Sequence, residues 1–176
     1  MFKRVRFFLP FLVVFLATSI LLSFAGCSLI AWKVTEKATE KAIEKETGKD
    51  VDLNVGEGKV KIKGKEGETE IQSGGKLPED FPEKFPLYPQ AEVKGTVRNE
   101  AGGKIQMQVV LETKDSFNKV VDFYKEKLPK SGYKITSTVQ TGEGAMFYLE
   151  MGKDKAGIVS IVDEKTKTTF TINLQI

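Results

Sequence analysis

The sequence predicts an α+β fold, in which one helix packs on one face of an antiparallel β-sheet. Residues 91–176 contain six short segments in which apolar and polar residues alternate, and one segment with an apolar period of 3.6 residues. All connections between these segments are short, and strands that are joined by tight turns are antiparallel. The predicted order of this domain is therefore ββαββββ, with the helix on one face of the sheet.

The first two strands of this domain are predicted to form a hairpin. Val93, Gly95 and Val97 alternate with polar residues, and the alternation resumes after the Ala101-Gly-Gly turn. Four more strands are predicted over residues 133–140, 145–151, 157–163 and 168–176, with glycine or Lys-Thr-Lys at their turns.

The helix lies between the hairpin and the last four strands. Its apolar residues recur at helical spacing and define one face, which consists of Phe117, Val120, Val121, Tyr124 and Leu128. We expect Asp115 or Ser116 to cap the N-terminus, and Pro129 with Gly132 to end the helix.

Three segments precede this domain. Residues 27–50 are predicted to form a charged spacer helix, mainly over 30–47, although docking of this helix on a partner is an alternative. Residues 51–73 are predicted to form a small β-meander, because Val51, Leu53 and Val55 alternate with polar residues. Residues 74–90 hold four of the six prolines and are predicted to be an extended linker whose aromatic residues pack on the following domain.

The start of the meander also resembles a calcium-binding loop, because the potential ligands Asp50, Asp52 and Asn54 occupy alternate positions. An EF-hand loop requires glycine at its sixth position and glutamate at its twelfth. Val55 and Lys61 occupy those positions here, so strands are the preferred interpretation and no metal is expected.

The N-terminus indicates export. Residues 1–26 have a basic start and a long uncharged apolar run, which is typical of a signal peptide; an uncleaved membrane anchor is the alternative. The run ends in Ser-Phe-Ala-Gly-Cys27, which resembles the lipobox of bacterial lipoproteins. The resemblance implies lipid attachment at Cys27 and anchoring outside the cytoplasmic membrane, or at the outer membrane in a diderm source because Ser28 follows.

Composition excludes several classes of function. The signal peptide holds three of the 27 basic side chains and no acidic one, which leaves 24 of each sign from Cys27 onward. A nucleic-acid-binding domain needs a basic surplus, so this chain is not expected to bind nucleic acid. The chain has no histidine and one cysteine, which excludes histidine-based triads, histidine-ligated metals and internal disulfides. No cofactor is expected.

Motifs in the second half carry a further resemblance. Asp80-Phe-Pro, the stretch from Phe85 to Pro89, and Phe123-Tyr-Lys-Glu-Lys-Leu are similar to those of a family of uncharacterised bacterial and archaeal lipoproteins. The likeness covers roughly residues 76–176, and the charged helix recurs ahead of it. This family has no assigned activity, so the resemblance implies anchoring and fold only.

Two hypotheses for function remain open. The first is a non-enzymatic module of the cell envelope that binds a protein or a glycan through the sheet face opposite the helix. Strand alternation predicts that this face carries Gln106, Gln108, Thr136, Thr138, Met146, Tyr148, Thr169, Thr171 and Asn173. The second is a cell-wall glycan hydrolase that uses two carboxylates, and the acids available at strand ends are Glu112, Glu150, Asp163 and Glu164.

The lipid anchor is directly testable. Cys27→Ser removes the thiol that would accept the lipid, so we expect an uncleaved, unlipidated precursor with altered membrane fractionation. Metabolic labelling with a radioactive fatty acid checks this. If the variant is labelled and processed as the wild type is, the lipobox interpretation is wrong.

Overall fold

The computed structural model describes residues 39–45, 48, 50–54, 57–64, 67–152 and 155–176. The predicted signal peptide, Cys27 and the first part of the spacer helix lie outside these residues. Residues 39–45 are helical, as predicted for the spacer helix. Within the described part of the chain, no helix is both long enough and apolar enough to cross a membrane.

The other regular elements of the described chain are nine strands and one helix of 14 residues. The strands are β1 (Asp50–Asn54), β2 (Lys59–Gly64), β3 (Gly67–Ser73), β4 (Glu92–Ala101), β5 (Lys104–Thr113), β6 (Lys134–Gln140), β7 (Gly144–Glu150), β8 (Ala156–Asp163) and β9 (Thr168–Gln175). The helix α1 (Phe117–Lys130) connects β5 to β6.

The strands form a single antiparallel sheet in the order β1-β2-β3-β4-β5-β9-β8-β7-β6. The α+β class is therefore confirmed. The predicted ββαββββ order, made for residues 91–176, does not describe the whole sheet, because β3 pairs with β4 and joins β2 and β1 to the same sheet. The C-terminal strand β9 lies between β5 and β8, so it joins the first hairpin to the last three strands.

The meander of β1, β2 and β3 is an extension of the sheet rather than a sheet of its own. β3 pairs with β4 along its whole length, from Gly67 to Ser73. Few apolar side chains support this extension, and cross-strand ion pairs occupy its surface instead. The Glu70 carboxylate lies 2.7 Å from the Lys59 amine and 2.9 Å from the Lys61 amine. The edge of β4 supplies the backbone partners that a short, charged meander lacks.

The predicted apolar face of α1 is confirmed, since all five of its residues are buried. Two details of the helix ends differ from expectation. Ser116 is the N-cap residue, but its side chain makes no capping hydrogen bond. Pro129 lies inside the last turn rather than ending the helix. The helix ends at Lys130 with Ser131 as the C-cap residue. Gly132 follows with a φ of 88°, which favours glycine, and the Tyr133 amide donates to the Leu128 carbonyl.

The proline-rich segment packs on the same side of the sheet as α1. Phe81 and Phe85 are buried, and the Phe85 ring lies 5.1 Å from the ring of Tyr133. Tyr88 contacts Phe123, with ring centroids 5.0 Å apart. The predicted packing of these aromatic residues is confirmed, whereas the aliphatic Leu87 of the same segment is exposed.

We call the side of the sheet that α1 covers the helix face. One substitution tests whether α1 packs on this face. Val121 is 1% exposed, so Val121→Asp buries a carboxylate without a partner and should lower the free energy of unfolding by about 3 kcal/mol or more. Asn118→Asp, on the exposed side of α1, is the control and should change it by about 0.5 kcal/mol or less. Urea denaturation measures both. Equal, small effects would show that α1 does not pack as described.

Candidate functional site

The candidate site is the side of the sheet that faces away from α1, which we call the open face. Residues that pair across antiparallel strands share a face, so the register defines its membership. From β4 across to β6, its central part consists of Val97, Asn99, Gln106, Gln108, Val110, Asn173, Thr171, Ile158, Ser160, Tyr148, Met146, Ser137 and Val139.

Seven of the nine residues predicted for this face lie on it. They are Gln106, Gln108, Met146, Tyr148, Thr169, Thr171 and Asn173. The hydroxyl oxygen of Thr169 is screened from solvent and has no hydrogen-bond partner among the described residues, so it is not available at the surface.

The prediction for β6 was wrong because this strand contains a β-bulge. The register shifts between Ile135 and Ser137, which leaves Thr136 as an extra residue. Its hydroxyl donates to the carbonyl oxygen of Tyr148 at 3.2 Å. Beyond the bulge the alternation is reversed, so Thr138 pairs with the buried Phe147 and lies on the helix face. Val139 takes its place on the open face, opposite Met146.

Side-chain amides and hydroxyls form hydrogen bonds across the open face. The Gln108 side-chain amide donates to the side-chain oxygen Oδ1 of Asn173 at 3.0 Å, and the Thr69 hydroxyl donates to Oδ1 of Asn99 at 3.1 Å. A primary amide has two N–H groups and two acceptor lone pairs. Gln108 and Asn173 therefore keep further donor and acceptor capacity for a ligand.

The open face is less polar than the sequence analysis predicted. Three of the four exposed large apolar side chains of the described residues lie on it, namely Val139 at 47%, Met146 at 38% and Val162 at 49%. Alternation in β8 could have placed Val162, because Gly157, Val159 and Ile161 are the buried residues of that strand. No sequence signal places Val139, because its orientation depends on the bulge.

Charged residues border the open face without entering its central part. At one end, the Glu112 carboxylate lies 2.7 Å from the Lys167 amine, which also lies 3.3 Å from Glu164. The hydrogen bond from Lys167 lowers the pKa of Glu112 and raises the pKa of Lys167. At the opposite corner, the Lys134 amine lies 2.9 Å from Glu150.

Two of the four acids proposed for a hydrolase contact the same lysine, and the other two have separate partners. Glu112 and Glu164 share Lys167, Glu150 is held by Lys134 at the other end of the sheet, and Asp163 accepts a hydrogen bond from the Lys165 amide. A general acid needs a raised pKa, and the pKa of Glu112 is lowered. Glu112 is therefore a poor general acid, and the hydrolase hypothesis stays a prediction.

A second surface feature is a cleft of about 470 Å³ beside α1. Its lining is Tyr88, Pro89, Gln90, Asp115, Lys119, Asp122, Phe123 and Glu126. The Tyr88 hydroxyl donates to one oxygen of Asp115 at 2.9 Å, and the Lys119 amine donates to the other at 3.1 Å. These bonds lower the pKa of Asp115, with Lys119 contributing most, while burial raises the pKa of Tyr88 to about 12. Asp115 thus attaches the proline-rich segment to the start of α1.

No group of three or more potential ligand side chains within the described ranges could hold a metal ion. The open face offers hydrogen bonding and apolar contact at an uncharged surface.

Residues 93–174 match the model of a family described as START domain-like. The domains of this family have no known function. The match extends from β4 to β9, and it leaves out β1, β2 and β3. No curated protein and no solved structure matches the chain. The match therefore assigns no ligand or activity, and the lipoprotein resemblance remains a prediction.

The hydrogen bond between Tyr88 and Asp115 predicts a pH dependence. Tyr88→Phe should lower the free energy of unfolding by about 1 kcal/mol at neutral pH, because it removes a half-buried hydrogen bond to a carboxylate. The folded-state pKa of Tyr88 is raised from 10 to about 12, so this contribution is fully present below pH 10 and is lost as the pH rises towards 12.

Denaturant unfolding of both proteins across this pH range measures the effect. The difference in the free energy of unfolding between wild type and Tyr88→Phe should become smaller above pH 10. A difference that stays constant up to pH 12 would show that the bond from Tyr88 to Asp115 does not make this contribution.

Proposed function

We propose that the chain is a lipid-anchored, extracytoplasmic, non-enzymatic binding module of the cell envelope, and that the open face is its binding surface. The observation that carries this proposal is the uncharged central part of the open face. Charged residues make up 29% of the chain, yet none belongs to the central set of open-face residues.

Solvation alone does not account for this distribution. The solvent side of α1 carries four exposed charged residues, namely Lys119, Asp122, Lys125 and Glu126. A solvated surface in this protein therefore accepts charges of both signs. The two sides differ in that α1 is a short convex element, whereas the sheet offers a broad surface on which a ligand can make many contacts at once.

The chemistry of the open face suits an uncharged ligand that forms hydrogen bonds. The amides of Gln106, Gln108 and Asn173 can donate and accept, and burying an amide costs much less free energy than burying an ion. Tyr148 and Met146 add aromatic and apolar surface on the same face, two strands away from Asn173. A glycan or an uncharged protein surface of the envelope fits this combination. The formal neutrality of the chain from Cys27 onward argues against a nucleic acid.

The anchor rests on the signal peptide and on the lipobox that ends at Cys27. Two or more acyl chains hold a protein stably at a membrane, whereas one chain does so only marginally. Lipid attachment would place the sheet domain at the membrane surface, where envelope proteins and glycans are found.

A charge-change variant of the open face tests the proposal. Gln106→Lys with Gln108→Lys adds two charges at exposed positions, so the free energy of unfolding should stay within about 1 kcal/mol of the wild-type value. Binding of solubilised envelope proteins or soluble cell-wall glycan fragments to the immobilised full chain should fall about tenfold, because the added ammonium groups must be desolvated.

The control adds the same charge on the other side of the molecule. Asn118→Lys with Asp122→Asn lies on the exposed side of α1 and should bind as the wild type does. Equal binding by both variants would rule out the open face. A loss of several kcal/mol in the Gln106 and Gln108 variant would mean that another part of the chain covers this face.

A further inference from the structure

The two edges of the sheet differ in how they are protected. The outer strand β1 has five residues, carries Asp50 and Asp52, and receives a side-chain contact from the adjacent helix: the Val51 amide lies 3.5 Å from a carboxylate oxygen of Glu44. Charges and covering side chains are the usual means of blocking an exposed edge. The other outer strand, β6, has no described element on its outer side, and Lys134 is its only charged residue.

The backbone of β6 offers donors and acceptors along this edge. The Thr141 amide donates to the Gly144 carbonyl oxygen at 2.7 Å, which makes these two residues a hydrogen-bonded pair between β6 and β7. Hydrogen-bonded and non-hydrogen-bonded pairs alternate along an antiparallel ladder. The N–H and C=O groups of Thr138 and Gln140 therefore point away from β7, towards the unpaired edge.

This edge is complementary to itself. If residues 137–141 pair antiparallel with the same residues of a second copy, and Val139 lies on the twofold axis, Thr138 of each copy is opposite Gln140 of the other. Because both residues direct their backbone groups outward, each such pair exchanges two hydrogen bonds. No charged residue lies within 137–141, and the charged group that contacts this segment is the Lys125 amine, which donates to the Gln140 side chain at 3.0 Å.

The exposed apolar side chains of the open face fit the same arrangement. Val139 is 47% exposed and Met146, its neighbour across the strands, is 38% exposed. With Val139 on the axis, its side chain lies against Val139 of the second copy, and one Met146 flanks the pair on each side. The dimer thus forms a continuous apolar row of four side chains from groups that are exposed in the monomer.

We propose that the chain forms a symmetric dimer through its β6 edges, with Val139 at the twofold axis. The bulge at Thr136 ends the pairing, because the extra residue breaks the ladder on that side. The paired segment is short, so the buried area is small and the dimer is concentration-dependent. The occupant of the edge is a second copy because the register of outward-pointing backbone groups and the apolar row both satisfy one twofold axis.

Disulfide trapping in the full chain tests this geometry. The parent is the Cys27→Ser variant in detergent, which removes the native thiol. Val139→Cys in this parent places two thiols at a non-hydrogen-bonded pair, where Cα atoms are about 4.5 Å apart, within the range that a disulfide spans. We expect mild oxidation to give a disulfide-linked dimer on a non-reducing gel, at a yield that rises with protein concentration.

Val162→Cys in the same parent is the matched control. Val162 is as exposed as Val139 and lies on the same face, but it belongs to β8, two strands away from the edge. It should give about tenfold less disulfide-linked dimer, because its thiol lies away from the axis. Equal yields from the two variants, or no dimer from Val139→Cys, would overturn the proposal.

A third variant separates edge pairing from random collision. Thr138→Pro removes an outward-pointing N–H and no bond to β7, and proline is tolerated on edge strands. Added to Val139→Cys, it should abolish the disulfide-linked dimer while the thermal unfolding of the monomer stays close to that of the parent. Undiminished trapping in this variant would show that the contact does not use the backbone of β6.

Discussion

The apolar stripe of α1 is buried against the central strands, and most other features of the structure depend on this contact. Val120, Val121, Tyr124 and Leu128 are at most 1% exposed, and burial of each of the three aliphatic side chains contributes about 1.5–3 kcal/mol. Because alternate residues of a strand point to opposite sides, burial of one face leaves the other face without a helix to cover it. The position of the open face follows directly from the position of α1.

The proline-rich segment completes the layer that α1 begins. A single helix cannot cover a sheet of this width, and Phe81 and Phe85 fill part of the remaining helix face. The Arg98 guanidinium, which pairs with Asp80 at 2.7 Å, and the bond from Tyr88 to Asp115 hold the segment at both ends. Prolines reduce the conformational entropy that an extended segment loses when it packs in this way.

The distribution of charge separates the sheet into regions of different character. β2 and β3 pair lysine with glutamate across the strands, so ionic contacts cover the helix-face side of the extension. The central open face has amides and hydroxyls, and the end near β6 has exposed valine and methionine. Ionic surface resists desolvation, whereas amide and apolar surface can be covered at low cost. The open face and the β6 edge are accordingly the parts of the described chain best suited to contact another molecule.

Local sequence patterns determined the elements of this protein. The helical period of α1 and the two-residue period of β5 and β9 follow from backbone geometry, so both the elements and their buried faces could be predicted from the residues alone. The same alternation predicted that Gln108, Thr171 and Asn173 lie on one face. The proposed lipid site at Cys27 also depends on sequence alone.

Only the tertiary structure decided how these elements are joined and where alternation breaks. The bulge at Thr136, which exchanges Thr138 for Val139 on the open face, has no signature in β6 because Thr, Ser and Val fit either face of an edge strand. The addition of β1, β2 and β3 to β4 depends on long-range pairing, which a short charged meander does not encode. Sequence patterns report which side of an element is apolar; the partner of a strand and the register of its pairing are set by contacts between distant residues.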